Sequence, residues 1–381
     1  LIMAKIVTWI IVLAVLIVGG LAIFGGKDAN SSVIKIGFIG PLTGDAVAYG
    51  ESESRAIQIA IQELNAAGGI DGKQFELISE DAKCDPQIGG TAAQKLVNID
   101  GVKVIIGGAC SGETLAAAEV TESARVILIS PSASSPKITN AGDFLFRTYP
   151  SDALAGKIAA KYALETLGVK KVALITELTD YGQALREVFK EAITNGGGEV
   201  VADETYASGD ADFRTQILKV KESKPDVVYI VPQTPTPGLA LLKQGKENGI
   251  KVPFMTGEVL LDRQVVKENA ALLEGLIGVE TGVDWEGNPK AKAFAEAHQA
   301  KFGTEPGTFA ANAYDAVYLI ADAIRAHGLD TEKIRDWLYA VENWQGTVGA
   351  ITMDENGDPL LGENIRKIVK GEVTDLGVVT P

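Results

Sequence analysis

Ser79-Glu80-Asp81-Ala82-Lys83-Cys84-Asp85-Pro86 and Gly107-Gly108-Ala109-Cys110-Ser111-Gly112-Glu113-Thr114 hold the only two cysteines of the chain. Each cysteine follows a short β-like run, residues 75–78 and 104–106, and each precedes a segment with helical spacing. Strand, polar corner and helix in that order are what the carboxyl edge of an open α/β sheet requires, and that edge carries the binding crevice. A third corner, Ser130-Pro131-Ser132-Ala133-Ser134-Ser135-Pro136, repeats the placement after the run 126–129.

The unit extends in both directions. Upstream, the β-rich run 33–39 is followed by Ile57, Ala60, Ile61 and Leu64 at helical spacing, until Gly68-Gly69 stops the helix. The helical patterns 88–97 and 114–124 complete a first series, which ends at the run 144–147. A second series then starts without a long linker: helix 153–167, strand 172–176, helix 183–194, strand 200–205, helix 213–221, strand 227–231, helix 238–248 and strand 253–255. Such alternation predicts parallel strands with helices on both faces, and hence two doubly wound α/β lobes. The last stretch is mostly helical, over 290–302, 309–326 and 332–340, and closes with a hairpin turned at Asn356-Gly357. The first series has too few helices to cover both faces of its sheet, so the late helices are assigned to it. Lobe one is then residues 33–149 plus 280–354, and lobe two residues 150–279 plus 355–381. Crossings near Tyr149, Val279 and Asp354 make a three-strand hinge, with a ligand-sized cleft between the lobes.

Composition narrows the partners. The chain has 381 residues, 46% of them hydrophobic and 22% charged, which suits a folded two-lobed protein. Its 35 basic and 50 acidic residues give a net charge of -15, and no Lys/Arg cluster is present, so no nucleic-acid partner is expected. Lys5 precedes an uncharged run over 6–26, of which 6–24 is mostly aliphatic, and a polar linker follows over 27–32. This is an export element. Its length argues for an uncleaved membrane anchor, with Lys5 on the cytoplasmic side; the alternative is a cleaved signal with a weak site in Ala22-Ile23-Phe24-Gly25-Gly26. No cysteine follows the run, which excludes a lipoprotein anchor. The rest of the chain is then extracytoplasmic, where a pair of thiols is usually oxidised. Two cysteines allow one intramolecular bridge, Cys84 to Cys110; two free buried thiols are the alternative.

Motifs of catalysis are missing: no Gly-x-Ser-x-Gly elbow, no His-Glu-x-x-His, no phosphate loop and no dinucleotide fingerprint. Neither an enzyme nor a cofactor is expected. His298 and His327 read as exposed helix residues without metal-ligand spacing, so no metal site is expected. Asp354 to Asp358 suits a turn better than a calcium loop, because the glycine comes one place early and the bidentate glutamate is absent. The corners are more informative. Hydroxyls of Ser111, Ser132 and Ser134 and nearby backbone N–H groups can converge on a carboxylate, although each serine alone reads equally as a helix cap.

Residues 33 to about 376 resemble the branched-chain amino-acid binding proteins of ABC importers, which have the type I periplasmic binding protein fold. The resemblance rests on Gly44 to Gly50 (Gly-x-x-x-x-Tyr-Gly), Asn65 to Gly72 (Asn-Ala-x-Gly-Gly-Ile-x-Gly), Asp81 with Cys84-Asp85-Pro86, and Phe254-Met255 followed by Glu258. It implies that Ser111 and Ser134, with the carbonyl of Ser132 beside them, hold the ligand's carboxylate and ammonium. It also implies that Glu258 is the counter-charge of the ammonium; from the residues alone Glu258 reads as a solvated loop carboxylate. A zwitterion needs such a partner once water is excluded. Tyr49 and Tyr181 would stand at the mouth, and Ala109, Cys110, Ala133, Gln233 and Phe309 would complete the ligand-binding set. One departure stands out: where leucine-type binders carry an aromatic, this chain has Pro232-Gln233-Thr234-Pro235. A smaller or polar side chain, an amide or a urea-like ligand therefore stays open.

The expectation is a monomeric extracytoplasmic solute-binding protein that closes on an amino acid and presents it to a membrane ABC permease. A sensor domain of the same fold is the alternative, and an amidase-like enzyme is a more distant one, because it lacks a nucleophile and base pair.

Overall fold

The computed structural model describes residues 33–378. The expected anchor or signal at 1–32 lies outside them, as does the end of the chain past 378. Among the described residues no helix is long and apolar enough to cross a membrane.

The first sheet is built from β1 (Val33–Gly40), β2 (Gln74–Asp81), β3 (Val104–Gly107), β4 (Ile127–Ser130) and β5 (Leu145–Arg147) in the order β2-β1-β3-β4-β5, all parallel. β3 and β4 read Val-Ile-Ile-Gly and Ile-Leu-Ile-Ser and are buried at every position, as strands covered on both faces must be. Alternate residues serve different cores. Val104 and Ile106 join one cluster with α1 (Val47–Ala66), while Ile105 and Leu128 join another with α2 (Pro86–Asn98) and α3 (Ser111–Ala124).

The second sheet receives α4 (Asp152–Lys161), β6 (Lys171–Glu177), α5 (Asp180–Asn195), β7 (Glu199–Tyr206), α6 (Arg214–Ser223), β8 (Val227–Val231), α7 (Pro235–Glu247) and β9 (Phe254–Thr256). The short helices α8 (Arg263–Glu268) and α9 (Ala270–Leu273) lead to β10 (Ile277–Glu280). The helices α10 (Pro289–Phe302), α11 (Ala310–His327) and α12 (Thr331–Tyr339) then pack on the first sheet, where Phe294, Ala313, Val317 and Leu338 share a core with Ile36 and Phe38.

Two expectations are corrected. Asn356-Gly357 lies in a turn that supports only an isolated bridge between Met353 and Pro359. The two-stranded ribbon of β11 (Trp344–Gln345) and β12 (Ala350–Ile351) precedes it. The long hairpin comes later: β13 (Asn364–Val369) and β14 (Glu372–Val378) reverse at Lys370 and Gly371, both with positive φ, and add antiparallel strands to the second sheet in the order β14-β13-β10-β9-β8-β6-β7. His298 is also not exposed. It is buried among Phe294 and Phe302, and its Nδ1 donates to the Thr304 carbonyl at 2.7 Å. Ala291, Phe294 and His298 recur on one face of α10, so the helical period itself carries the ring inward.

Candidate ligand-binding site

The corner after β3 is held by its own chain. Gly107 has φ +122, and a Cβ there would meet the Ile39 carbonyl oxygen at 1.9 Å, so only glycine lets β3 turn against β1. Cys110 caps α3 and is bonded to Cys84, with their Cα atoms 5.3 Å apart. Glu113 Oε1 accepts from the backbone N–H groups of Ala109 at 2.6 Å and Cys110 at 3.0 Å; burial nevertheless raises its carboxyl to about 7.

The corner after β4 interlocks with the first. Ser130 Oγ donates to the Gly108 carbonyl at 2.7 Å, and Ser111 Oγ accepts from the Ser135 N–H at 3.2 Å. Ser132 Oγ lies 2.5 Å from Glu53 Oε1 and 3.0 Å from the Ala109 carbonyl. Beneath this corner the fully buried Arg147 donates through Nη1 to the carbonyls of Ala133 at 3.3 Å and Ser135 at 3.1 Å, and through Nε to Asp358 at 2.7 Å. One buried cation thus fixes the path of the loop that carries Ser132, Ala133 and Ser134.

The opposing wall comes from the second sheet. Tyr181, in the first turn of α5, donates its hydroxyl to Glu258 Oε2 at 3.2 Å. Glu258 opens the short 3-10 turn after β9, is only 6% exposed, and has its carboxyl raised to about 7 by burial. Gln233 follows β8; its N–H donates to Glu177 Oε2 at 2.8 Å, and its carbonyl receives the Tyr49 hydroxyl at 3.4 Å. Phe309 stands edge-on to both Tyr49, at 5.5 Å between ring centroids, and Tyr149, at 5.1 Å. Tyr49, Ala109 and Cys110 share a small apolar cluster against Phe309.

All of the expected site residues therefore line the facing ends of the two sheets, and the cleft between them is shut. Besides Tyr49 with Gln233, Lys137 Nζ lies 2.8 Å from Asp180 Oδ1, Ser135 Oγ donates to the Asp180 carbonyl at 3.4 Å, and Thr308 bonds Asp262. Four residues escaped the sequence reading: Glu53, Tyr149, Asp152 and Glu363, all buried. Asp152 is the most telling. Ser134 Oγ donates to its Oδ2 at 2.7 Å, and its N–H donates to the Ser134 carbonyl at 2.8 Å. Ser151-Asp152 has the look of an ordinary helix start, and Ser151 does accept from the Ala153 N–H, so the capping signature concealed an inward-facing acid.

Two α/β lobes closed over a buried polar cleft, with serine corners on one side and a tyrosine-carboxylate pair on the other, define a bilobal solute-binding protein with type I periplasmic architecture. The chain belongs to the periplasmic binding protein family, which it matches over residues 33–363. It is 33% identical to the leucine-, isoleucine-, valine-, threonine- and alanine-binding protein of Pseudomonas aeruginosa, covering 88% of this chain and 89% of that protein. It is 29% identical to the Leu/Ile/Val-binding protein of Escherichia coli, over 90% and 92% of the two chains. Among solved structures it is similar to the branched-chain amino acid transporter substrate binding protein of Streptococcus pneumoniae in complex with isoleucine, with TM-score 0.83, 33% identity, and 92% and 100% of the chains covered. A leucine-binding protein from Thermotoga maritima superposes with TM-score 0.85 at 29% identity, over 92% and 99% of the chains.

Proposed function

We propose that this protein captures an amino acid, branched-chain or related, between its lobes and delivers it to a membrane ABC permease from the extracytoplasmic side. The observation that carries the reading is the Tyr181–Glu258 pair, buried opposite Ser111 and Ser134 in a closed cleft. An ammonium placed there meets a carboxylate, and a carboxylate placed at the serine corners meets hydroxyls and the start of α3. Tyr49, Ala109, Cys110, Ser132, Ala133, Gln233 and Phe309 form the walls. Glu53 and Asp152 extend the polar set. The names of the Pseudomonas and Streptococcus relatives support the substrate class. Because similar proteins bind solutes, we read the chain as a binding protein and not an enzyme.

Residues 33–149 plus 280–354 are proposed to move as one lobe and 150–279 plus 355–381 as the other. The stretch 355–363 acts as the bridge, since the Gly357 carbonyl still accepts from Arg147 before the chain enters the second sheet at Asn364. The proposed monomer would be tethered through residues 1–32. Mass spectrometry of small molecules released from purified, denatured protein, followed by calorimetric titration with the twenty amino acids and simple amides, tests the reading. An amino acid recovered and bound supports it; binding confined to uncharged amides would overturn the zwitterion assignment.

A further inference from the structure

Asp152, Glu258 and Glu363 reach the cleft from separate segments: the start of α4, the turn after β9, and the bridge before β13. They are 1%, 6% and 2% exposed. Glu258 acts electrostatically on Asp152, and both act on Glu363. Three tyrosines stand in the field of these acids, Tyr149, Tyr181 and Tyr229, each kept in its neutral form first by burial and then by the acids. The fully buried Tyr229 hydroxyl and Glu363 Oε2 have no hydrogen-bond partner among the described residues. Two polar atoms facing a cluster of acids without partners mark a place where donors and charge are to be supplied from outside.

The surrounding cations are committed elsewhere. Arg147, which acts on Asp152, is paired with Asp358 and the corner carbonyls. Arg366 lies 3.3 Å from Glu280 and 2.5 Å from Asp375, and Arg263 is stacked over Trp285 at 5.7 Å. Glu280 and Asp262 add further negative charge beside Arg263 and Arg366. Three carboxylates cannot all ionise in a dry site with so little positive charge, so the ligand-free cleft keeps protons on some of them. They titrate as a group and not one by one.

We infer that capture of an amino acid is coupled to loss of a proton from the Asp152, Glu258 and Glu363 cluster, the ligand's ammonium taking the place of that proton. The inference rests on the proposed function. One carboxyl O–H bond breaks, the proton passes to the solvent buffer, and the ammonium keeps its own three hydrogens and donates them to the new carboxylate and its neighbours. Burial raises Glu258 to about 7, and burial together with the neighbouring acids raises Asp152 and Glu363 above their ordinary range. The free cleft is therefore the protonated form and the filled cleft the ionised one. Affinity must fall as the pH drops below about 7, approaching about tenfold per pH unit while one proton is linked.

Calorimetry with L-leucine and L-threonine, run near pH 6.5 in phosphate and in Tris, reads the coupling directly, since the two buffers absorb a released proton with different heats. Release of roughly half a proton to one proton per ligand, with affinity rising from pH 5.5 to 8, is expected. Equal heats in both buffers and a flat pH profile, in a protein that binds either amino acid, would overturn the inference and leave the proposed function standing. No binding of any amino acid would overturn both. In the Glu363→Gln variant the other two acids lose a like-charged neighbour, so the midpoint of the affinity profile moves about half a pH unit or more towards acid. A profile unmoved by that change would remove Glu363 from the cluster.

Discussion

Lys137, in the short 3-10 turn after the second serine corner, meets Asp180, the first residue of α5, at 2.8 Å across the mouth of the cleft. The pair joins the two lobes where they are furthest open to water, and its side chains are 56% and 36% exposed. Exposed pairs of this kind contribute about 0–1 kcal/mol. Lys137→Ala is expected to weaken amino-acid affinity by about two- to fivefold, to leave the ligand-free melting temperature unchanged, and to shift ligand-free molecules towards an extended shape in small-angle scattering. The affinity gap should narrow in 0.5 M salt, flagged here as roughly the point where screening removes exposed pairs. A loss above a hundredfold would place Lys137 on the ligand itself.

Glu258 carries a heavier load. Replacing it with Gln keeps its size and its contact with the Tyr181 hydroxyl, but leaves an ammonium without a charged partner, at a cost of roughly 2–5 kcal/mol. Affinity for an amino acid should drop more than tenfold. Because a buried carboxyl that resists ionisation is being replaced by an amide, the ligand-free protein should melt no lower than wild type. Titration calorimetry and a thermal melt on the same samples separate the two effects.

The Cys84–Cys110 bridge closes a loop with a sequence separation of 26, for which the chain-entropy account gives about 3–4 kcal/mol. Lys83 and Cys84 both sit at positive φ, so the bridge also holds a turn that side-chain-bearing residues rarely adopt. Thiol titration of denatured, unreduced protein should find no free sulfhydryl. The Cys84→Ala, Cys110→Ala double variant should unfold at lower urea and bind more weakly, because the α3 start that carries Ser111 loses its brace. A double variant with an unchanged urea midpoint would show that the bridge is dispensable.

Stability should decline from mild acid to neutral pH. Burial raises Glu113, Glu258 and Glu280 to about 7 and Asp315 to about 6, whereas the same groups in an unfolded chain titrate near 4. Between those limits the folded protein holds protons that the unfolded chain has lost, so each group removes up to about 1.4 kcal/mol per pH unit as the pH rises. Asp203 works the other way. Burial raises it, but hydrogen bonds from Arg186 and Lys190 outweigh that and hold it low, so its contribution is present at neutral pH and disappears only in stronger acid. The ligand-free melting temperature should therefore be higher at about pH 5 than at about pH 7.5. A melting temperature that climbs steadily across this range would contradict the buried acids.

The alternation of strands and helices was legible because parallel strands are buried on both faces and read as short apolar runs, as β3 and β4 do. The serine corners and the cysteine pair were legible because they sit at the carboxyl ends of those runs. The edge of the second sheet was not. β10 has only four residues, and β13 pairs with it from far along the chain, so no local pattern announces the pairing. The buried acids were hidden for a different reason: Asp152 wears the dress of a helix start, and Glu363 lies in an irregular stretch where sequence carries no period. His298 needed only the helical period of Ala291 and Phe294 to be taken seriously.

Ser134 and Asp152 hold each other twice, by hydroxyl to carboxylate and by N–H to carbonyl, within three residues of the crossing at Tyr149. A junction so near the fulcrum travels little when the lobes part, whereas the Lys137–Asp180 pair at the rim must separate widely. The molecule is in effect a lever with a short inner arm and a long outer one. An ammonium that tightens the inner arm by a fraction of an ångström is magnified into a large displacement at the rim, and a docking partner that touches only the rim can sense occupancy without reaching the ligand.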